Sequence, residues 1–117
     1  MPRNRPSQFR LTLIRKIRPY AKESRFWRRV AEELRRGVRR KREVNVYKIN
    51  RLTKAGDVVF IPGKVLGAGF INHPVTVGAF SFSKQAYKKI TKAGGEVLLL
   101  EEFMQRYPKG SNVRIIG

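Results

Sequence analysis

Residues 57–69 read DVVFIPGKVLGAG and lie at the centre of a chain of 117 residues. The run from Val58 to Ile61 is apolar and rich in β-branched side chains, which predicts a buried strand. Pro62-Gly63 predicts the end of that strand, because proline cannot donate to a strand ladder. The glycine-containing stretch from Lys64 to His73 then predicts a loop, and Val75 to Phe80 predicts a second strand.

Helix signals flank these two strands. Ser83 is a suitable N-cap for a helix, and Gly94-Gly95 is a natural stop for it. Val44 to Leu52 fits either a strand or a helix, and we favour a short helix capped by Asn45. The remaining elements are predicted as a helix at Lys84 to Ala93, a strand at Val97 to Leu99, a short helix at Glu101 to Tyr107 and a last strand at Val113 to Ile116.

The first 42 residues differ from the rest in charge. They hold 16 Lys and Arg and 3 acids, a net +13, whereas residues 43–117 hold 11 and 5, a net +6. Apolar residues recur there at helical spacing in two pieces. The first should begin after Ser7 and kink or end at Pro19, and the second should run from a Ser24 cap to Gly37. Trp27 falls on an apolar stripe, so we expect it in the core rather than stacked on a base.

These patterns together predict an α/β fold. We expect a small single domain of irregular strand-strand-helix turns, made of a basic, largely helical arm (residues 1–42) and a compact α/β body (residues 43–117). Apolar residues make up 41% of the chain, which is enough for a core.

The net charge of +19 points to a polyanionic partner, because an isolated domain of this charge repels itself. The chain has no cysteine, which excludes disulfides, thiolate metal sites and cysteine nucleophiles. Its apolar runs are strand-sized, too short for a signal peptide or a membrane span. We therefore expect a soluble, cytoplasmic protein.

The glycines of residues 62–69 do not form a nucleotide-binding motif. A phosphate-binding P-loop would need glycine at Val58 and serine or threonine at Val65, and a dinucleotide fingerprint would need a third glycine at Asn72. Two interpretations of Gly67 and Gly69 stay open: a tight loop that needs positive φ, or a bare backbone that approaches RNA, with Lys64 holding a phosphate.

No catalytic set can be assembled from the sequence. His73 is the only histidine and has no obvious metal-ligand or acid–base partner, so we expect it in a loop or against RNA. The acids are scattered and more typical of salt bridges with arginine than of an acid–base pair. The arginine excess near the N-terminus, by contrast, suits bidentate phosphate contacts and stacking on bases.

Four segments resemble one family in the right order. Residues 43–49 (EVNVYKI), 62–69 (PGKVLGAG), 75–77 (VTV) and 108–114 (PKGSNVR) are similar to the archaeal and eukaryotic, e-type large-subunit ribosomal protein eighteen, which is related in fold to bacterial large-subunit protein fifteen. The resemblance covers roughly residues 8 to 117, and the short length is more like the archaeal members. Departures occur at Gly37-Val38 and Lys41-Arg42.

The resemblance implies an α/β fold, a structural role in the large ribosomal subunit and binding to its RNA, with no enzymatic activity. It implies no cofactor. We also expect no metal, membrane, small-molecule substrate or homo-oligomer, and the expected partners are large-subunit ribosomal RNA and neighbouring large-subunit proteins. The competing hypotheses are a DNA-coating or chromatin-type protein and, less favoured, an RNA-modifying enzyme. The candidate RNA-binding residues are Arg3, Arg5, Arg10, Arg15, Arg18, Arg25, Arg28, Arg29, Arg35, Arg36, Arg39, Arg40, Lys41, Arg42, Asn45, Lys48, Lys64, Gly67, Gly69 and His73.

Overall fold

The computed structural model describes residues 8–35 and 43–117, apart from the side chains of Phe9 and Arg10. Helices and strands alternate through most of this range, which confirms the predicted α/β class. The elements are α1 (Gln8–Ala21), α2 (Arg25–Arg35), β1 (Glu43–Asn45), α3 (Val46–Leu52), β2 (Val58–Leu66), β3 (Thr76–Phe82), α4 (Lys84–Lys92), β4 (Glu96–Leu99), α5 (Leu100–Arg106) and β5 (Arg114–Ile115).

The described strands form one parallel sheet with β2 at its centre. The order is β1-β2-β3-β4, and β5 also pairs with β2. Along one side, β2 pairs with β3. Along the other side it is shared, because β5 pairs with Val59 and Phe60 while β1 pairs with residues 64–66.

The sheet is covered by helices on both faces. Successive residues of a strand point to opposite faces, so Val59 and Ile61 enter one core cluster and Phe60 enters the other. The first cluster includes Ile49 of α3 and Ile90 of α4. The second, an aromatic core, gathers Ile17 of α1, Trp27 of α2 and Phe103 of α5 around Phe60.

The prediction that β2 ends at Pro62-Gly63 is wrong. The strand continues to Leu66, and its pairing with β3 shifts register between Ile61 and Lys64. Ile61 pairs with Ala79 and Lys64 pairs with Ser81, so β2 advances by three residues where β3 advances by two. The one extra residue in β2 is accommodated as a bulge. A bulge tolerates a proline because the ladder is locally interrupted there. The loop that follows therefore begins at Gly67 rather than at Lys64.

The predicted helix starts had mixed outcomes. The backbone N–H of Trp27 donates to Ser24 Oγ at 3.2 Å, and that of Ala86 donates to Ser83 Oγ at 3.1 Å, which confirms both serine caps. The helix favoured after Asn45 is present, but β1 precedes it and the Asn45 side chain accepts a hydrogen bond from Ala68 N instead of capping it. Pro19 lies inside α1, which ends two residues later at Ala21. The proposed signals at Ser7 and Gly37 lie outside the described residues.

The helices α1 and α2 pack directly on residues of the α/β body. Trp27 is fully buried, as predicted, and its Nε1 donates to Tyr107 O at 2.9 Å. Ser24 Oγ donates to Lys109 O at 2.9 Å, and Lys16 Nζ forms a 2.7 Å salt bridge with Glu101. The described helices therefore share the aromatic core with the strands. Within residues 8–35 and 43–117, every helix is too short or too polar to cross a membrane.

Candidate nucleic-acid interface

The first basic surface is formed by α1 and α2, which bury their apolar stripes against the sheet and leave their arginines exposed. Arg25, Arg28 and Arg29 line a shallow groove together with Glu32 and Glu33. Arg28 also has a structural contact, since its Nε donates to Ala21 O at 3.3 Å at the end of α1. Its exposed side chain therefore joins the two helices. The exposed cations of this surface, here called the arginine surface, are Arg15, Arg18, Arg25, Arg28, Arg29 and Arg35.

A second surface lies on the opposite face of the sheet, around the connection from β2 to β3. Parallel neighbours are usually joined through a helix. Here residues 67–75, all of them described, form neither helix nor strand and run between α3 and α4. Ile71 and Val75 anchor this loop, since both are buried in the cluster that contains Ile49 and Ile90.

Side chains and backbone near α3 hold one side of the loop. Asn45 Oδ1 accepts from Ala68 N and Asn50 Oδ1 accepts from Asn72 N, each at 3.1 Å. The Tyr47 N–H donates to Ala68 O at 3.2 Å. His73 completes this side, with its Nε2 2.8 Å from Thr53 Oγ1 and its Nδ1 3.0 Å from Asn72 Oδ1. His73 therefore has a structural role in the loop.

Lys89 of α4 holds the other side of the loop. Its ammonium donates to Gly67 O at 2.7 Å and also to Gly69 O. Gly69 has a φ of +84°, and a Cβ there would overlap the Tyr47 side chain. The tight-loop interpretation with positive φ is therefore confirmed at Gly69. An RNA contact of this backbone stays a prediction, and the Gly67–Gly69 carbonyls already accept internal hydrogen bonds.

The exposed side chains around this loop are cationic and aromatic. Tyr47 is 51% exposed and Phe70 is 65% exposed. The sequence of α3, the loop and α4 contains no acid, and residues 44–95 contain Asp57 alone against eight Lys and Arg. The Asp57 carboxylate accepts from Lys54 N at 2.9 Å and lies 3.8 Å from Arg114. The set we call the loop surface comprises Tyr47, Lys48, Arg51, Phe70, Lys84, Lys88 and Lys92, all exposed or half-buried.

Most of the loop surface was missing from the sequence-based candidates. Of its residues only Lys48 was predicted, because the charge was attributed mainly to the first 42 residues. The detectable signal was the scarcity of acids between residues 44 and 95, which the average over residues 43–117 conceals.

The structure divides the predicted residues between the two surfaces. Asn45, Lys48, Gly67, Gly69 and His73 lie with the loop surface. Lys64 does not, because its neighbour Val65 points into the core beneath α3 and α4, so Lys64 faces the other way. The arginines predicted on α1 and α2 form the arginine surface. Arg3, Arg5, Arg36, Arg39, Arg40, Lys41 and Arg42 lie outside the described residues, as does the side chain of Arg10.

Some cations are already paired with acids. Arg106 NH1 lies 2.7 Å from Glu96 Oε1, and this hydrogen bond and the attraction between the two charges raise the pKa of Arg106. Lys16 Nζ lies 2.7 Å from Glu101 Oε1. Among the described residues, histidines and acids form no cluster of three that could hold a metal ion. Both surfaces bear exposed cations, which attract anions.

Comparisons with known proteins agree with this chemistry. The model of a family described as ribosomal proteins 50S-L15, 50S-L18e and 60S-L27a matches residues 25–98. A protein of Sulfurisphaera tokodaii named large ribosomal subunit protein eL18 is 51% identical over 90 residues, which cover 77% of this chain and 76% of the relative. A protein of the same name from Methanococcus maripaludis is 46% identical over 107 residues, which cover 90% of this chain and 89% of the relative. Another, from Pyrobaculum aerophilum, is 44% identical over 112 residues, which cover 94% of this chain and 91% of the relative. The chain therefore belongs to the family of ribosomal proteins that comprises 50S-L15, 50S-L18e and 60S-L27a.

Proposed function

We propose that this protein is a structural constituent of the large ribosomal subunit in the cytoplasm, where it binds ribosomal RNA and is not an enzyme. The proposal rests on the relatives named large ribosomal subunit protein eL18, which match most of the chain. A net charge of +19 fits such a partner, because RNA phosphates relieve the self-repulsion and release their own counterions.

The arginine surface is the first contact that we propose. Its exposed guanidinium groups are borne on two helices that are fixed to the sheet through the aromatic core. Their planar forks suit two parallel hydrogen bonds to a phosphate, and the fixed helices hold their Cα positions in a row that can follow an RNA backbone. Residues 1–42 would act in this way as an RNA-binding arm, and residues 43–117 would carry the loop surface. The remaining candidate cations, Arg3, Arg5, Arg10, Arg36, Arg39, Arg40, Lys41 and Arg42, would add phosphate contacts.

Neighbouring large-subunit proteins are further partners under this proposal, and we expect no homo-oligomer. The first experiment is sedimentation of the tagged protein from a lysate. We expect it to co-sediment with large subunits in an RNase-sensitive way. Absence from the large subunit would refute the proposal, and recovery with DNA would favour the DNA-coating alternative.

The arginine surface has its own test in the salt dependence of RNA binding. Each lost phosphate contact should reduce the slope of log K against log salt by about 0.7 to 0.9. We expect the double variant Arg25→Gln/Arg29→Gln, which loses two such contacts, to reduce the slope by about 1.4 to 1.8. Arg106→Gln should show no reduction, because Glu96 already neutralises Arg106. An unchanged slope in the double variant, or an equal reduction in the control, would contradict the assignment.

A further inference from the structure

We infer that the loop surface is a stacking site for unpaired RNA bases, with the rings of Phe70 and Tyr47 as its platform. The inference rests on the proposed function, because it takes RNA as the partner. It adds a second binding face, on the opposite side of the sheet from the arginine surface, and it assigns the class of ligand to single-stranded RNA.

The two rings are exposed although the neighbouring apolar residue of the loop is not. Phe70 is 65% exposed, whereas Ile71 beside it is 8% exposed and completes the core. The positive φ of Gly69 brings the loop backbone against the Tyr47 side chain, so Tyr47 and Phe70 emerge from adjoining positions. A solvent-exposed phenylalanine and a half-exposed tyrosine therefore occupy adjoining positions on an otherwise charged surface.

The backbone that carries Phe70 is fixed before any ligand arrives. Lys89 binds the carbonyls of Gly67 and Gly69 from α4, while Asn45 and Asn50 bind loop amides from the side of α3. Binding therefore orders little more than the ring itself. A preorganised ring loses less conformational entropy on binding than a ring on a free loop.

The charge around the rings selects an anion. Lys48 lies on α3, and Lys84 and Lys88 lie on α4, the two helices on either side of the loop. The sequence from Val58 to Gly95 contains no acid. Cations that follow a phosphate backbone and aromatic rings that stack on its bases are the combination by which proteins bind single strands. A duplex offers only its phosphates to such a surface, because its bases are stacked inside.

The test compares two RNA probes with the full-length protein. One is an oligouridylate with a single 2-aminopurine, and the other is an RNA duplex with the same number of phosphates. Phe70→Leu removes the ring but keeps an apolar side chain, and Phe70→Tyr keeps the ring. Tyr87→Ala is the matched control, because Tyr87 is 53% exposed on α4 but lies two residues, about 200° of helix, from the loop-facing Gln85.

We expect Phe70→Leu to weaken binding of the single strand about tenfold and to abolish the 2-aminopurine quenching, with duplex binding unchanged. Phe70→Tyr should restore both signals, and Tyr87→Ala should resemble the wild type. Unchanged single-strand affinity in Phe70→Leu, or equal losses on both probes, would overturn the inference while leaving the proposed function intact. If Phe70→Leu binds the single strand normally but no longer enters large subunits, the surface contacts a protein, and the inference is again wrong. If the wild type binds neither probe and does not enter large subunits, the proposed function fails as well.

Discussion

Replacing Ser24 with alanine should destabilise the protein more than an ordinary helix-cap substitution does. Ser24 is 3% exposed, and its hydroxyl makes two hydrogen bonds. It accepts from Trp27 N at 3.2 Å, which caps α2, and it donates to Lys109 O at 2.9 Å in the turn before β5. One side chain therefore starts the helix and attaches it to a segment 85 residues away.

The expected magnitude follows from counting these two bonds. Loss of a serine cap costs about 1 kcal/mol. Loss of the donor leaves the partly buried Lys109 carbonyl without its partner, which costs about 1 to 2 kcal/mol more. We therefore expect Ser24→Ala to lower the free energy of unfolding by about 2 to 3 kcal/mol.

Ser83→Ala is the matched control for this prediction. Ser83 caps α4 through Ala86 N at 3.1 Å, and its Oγ has no second hydrogen bond among the described residues, so we expect a loss of about 1 kcal/mol. Urea unfolding followed by the fluorescence of the single buried Trp27 measures both variants. Equal losses in the two variants would refute the contribution of the bond to Lys109, and with it this account of how α2 is attached.

Two further predictions concern the loop. Gly69→Ala should destabilise the protein by about 1 to 3 kcal/mol more than Gly56→Ala. Both glycines have positive φ, but of the two only Gly69 would place a Cβ against another side chain, that of Tyr47. Equal losses of the two variants in urea unfolding would contradict this overlap. Lys89→Met should speed amide hydrogen exchange at residues 67–70 and cost about 1 to 3 kcal/mol, because two loop carbonyls lose their donor. Lys88→Met, at an exposed position on the same helix, should change neither quantity, and an equal effect there would refute the role of Lys89.

The elements that the sequence predicts well depend on short-range patterns. The Ser24 and Ser83 caps and the strands around Val59 and Val77 can be recognised within a few residues of chain. The same holds for the core position of Trp27, which follows from an apolar stripe at helical spacing. The assignment to the α/β class follows from these local features.

The elements that were missed depend on pairing between distant segments. The short strand β1 exists because Val44 pairs with Val65, and nothing near Val44 reveals that partner. The continuation of β2 through Pro62 depends on neighbours on both of its sides, which hold the strand across the bulge. Local signals cannot predict either feature, since the partners lie elsewhere in the chain.

The candidate site shows the same division. The arginines of α1 and α2 are evident from their spacing along amphipathic helices. The loop surface requires α3, residues 67–75 and α4 to lie side by side, and that arrangement follows only from the sheet order. Lys64 adjoins the loop in sequence but faces away from it in the fold, so its phosphate contact is separate from the loop surface and stays a prediction.

The loop of residues 67–75, which connects β2 to β3, also determines whether RNA would recognise the folded or the unfolded protein. Its hydrogen bonds to Asn45, Asn50 and Lys89 join residues 20 to 23 positions apart, so the loop is ordered only when the sheet and both helices have formed. An unfolded chain with a charge of +19 still attracts phosphate, because Coulomb attraction requires no fold. It has no positioned pair of rings, however. An RNA segment that needs those rings would therefore retain folded copies and release unfolded ones as the particle is assembled.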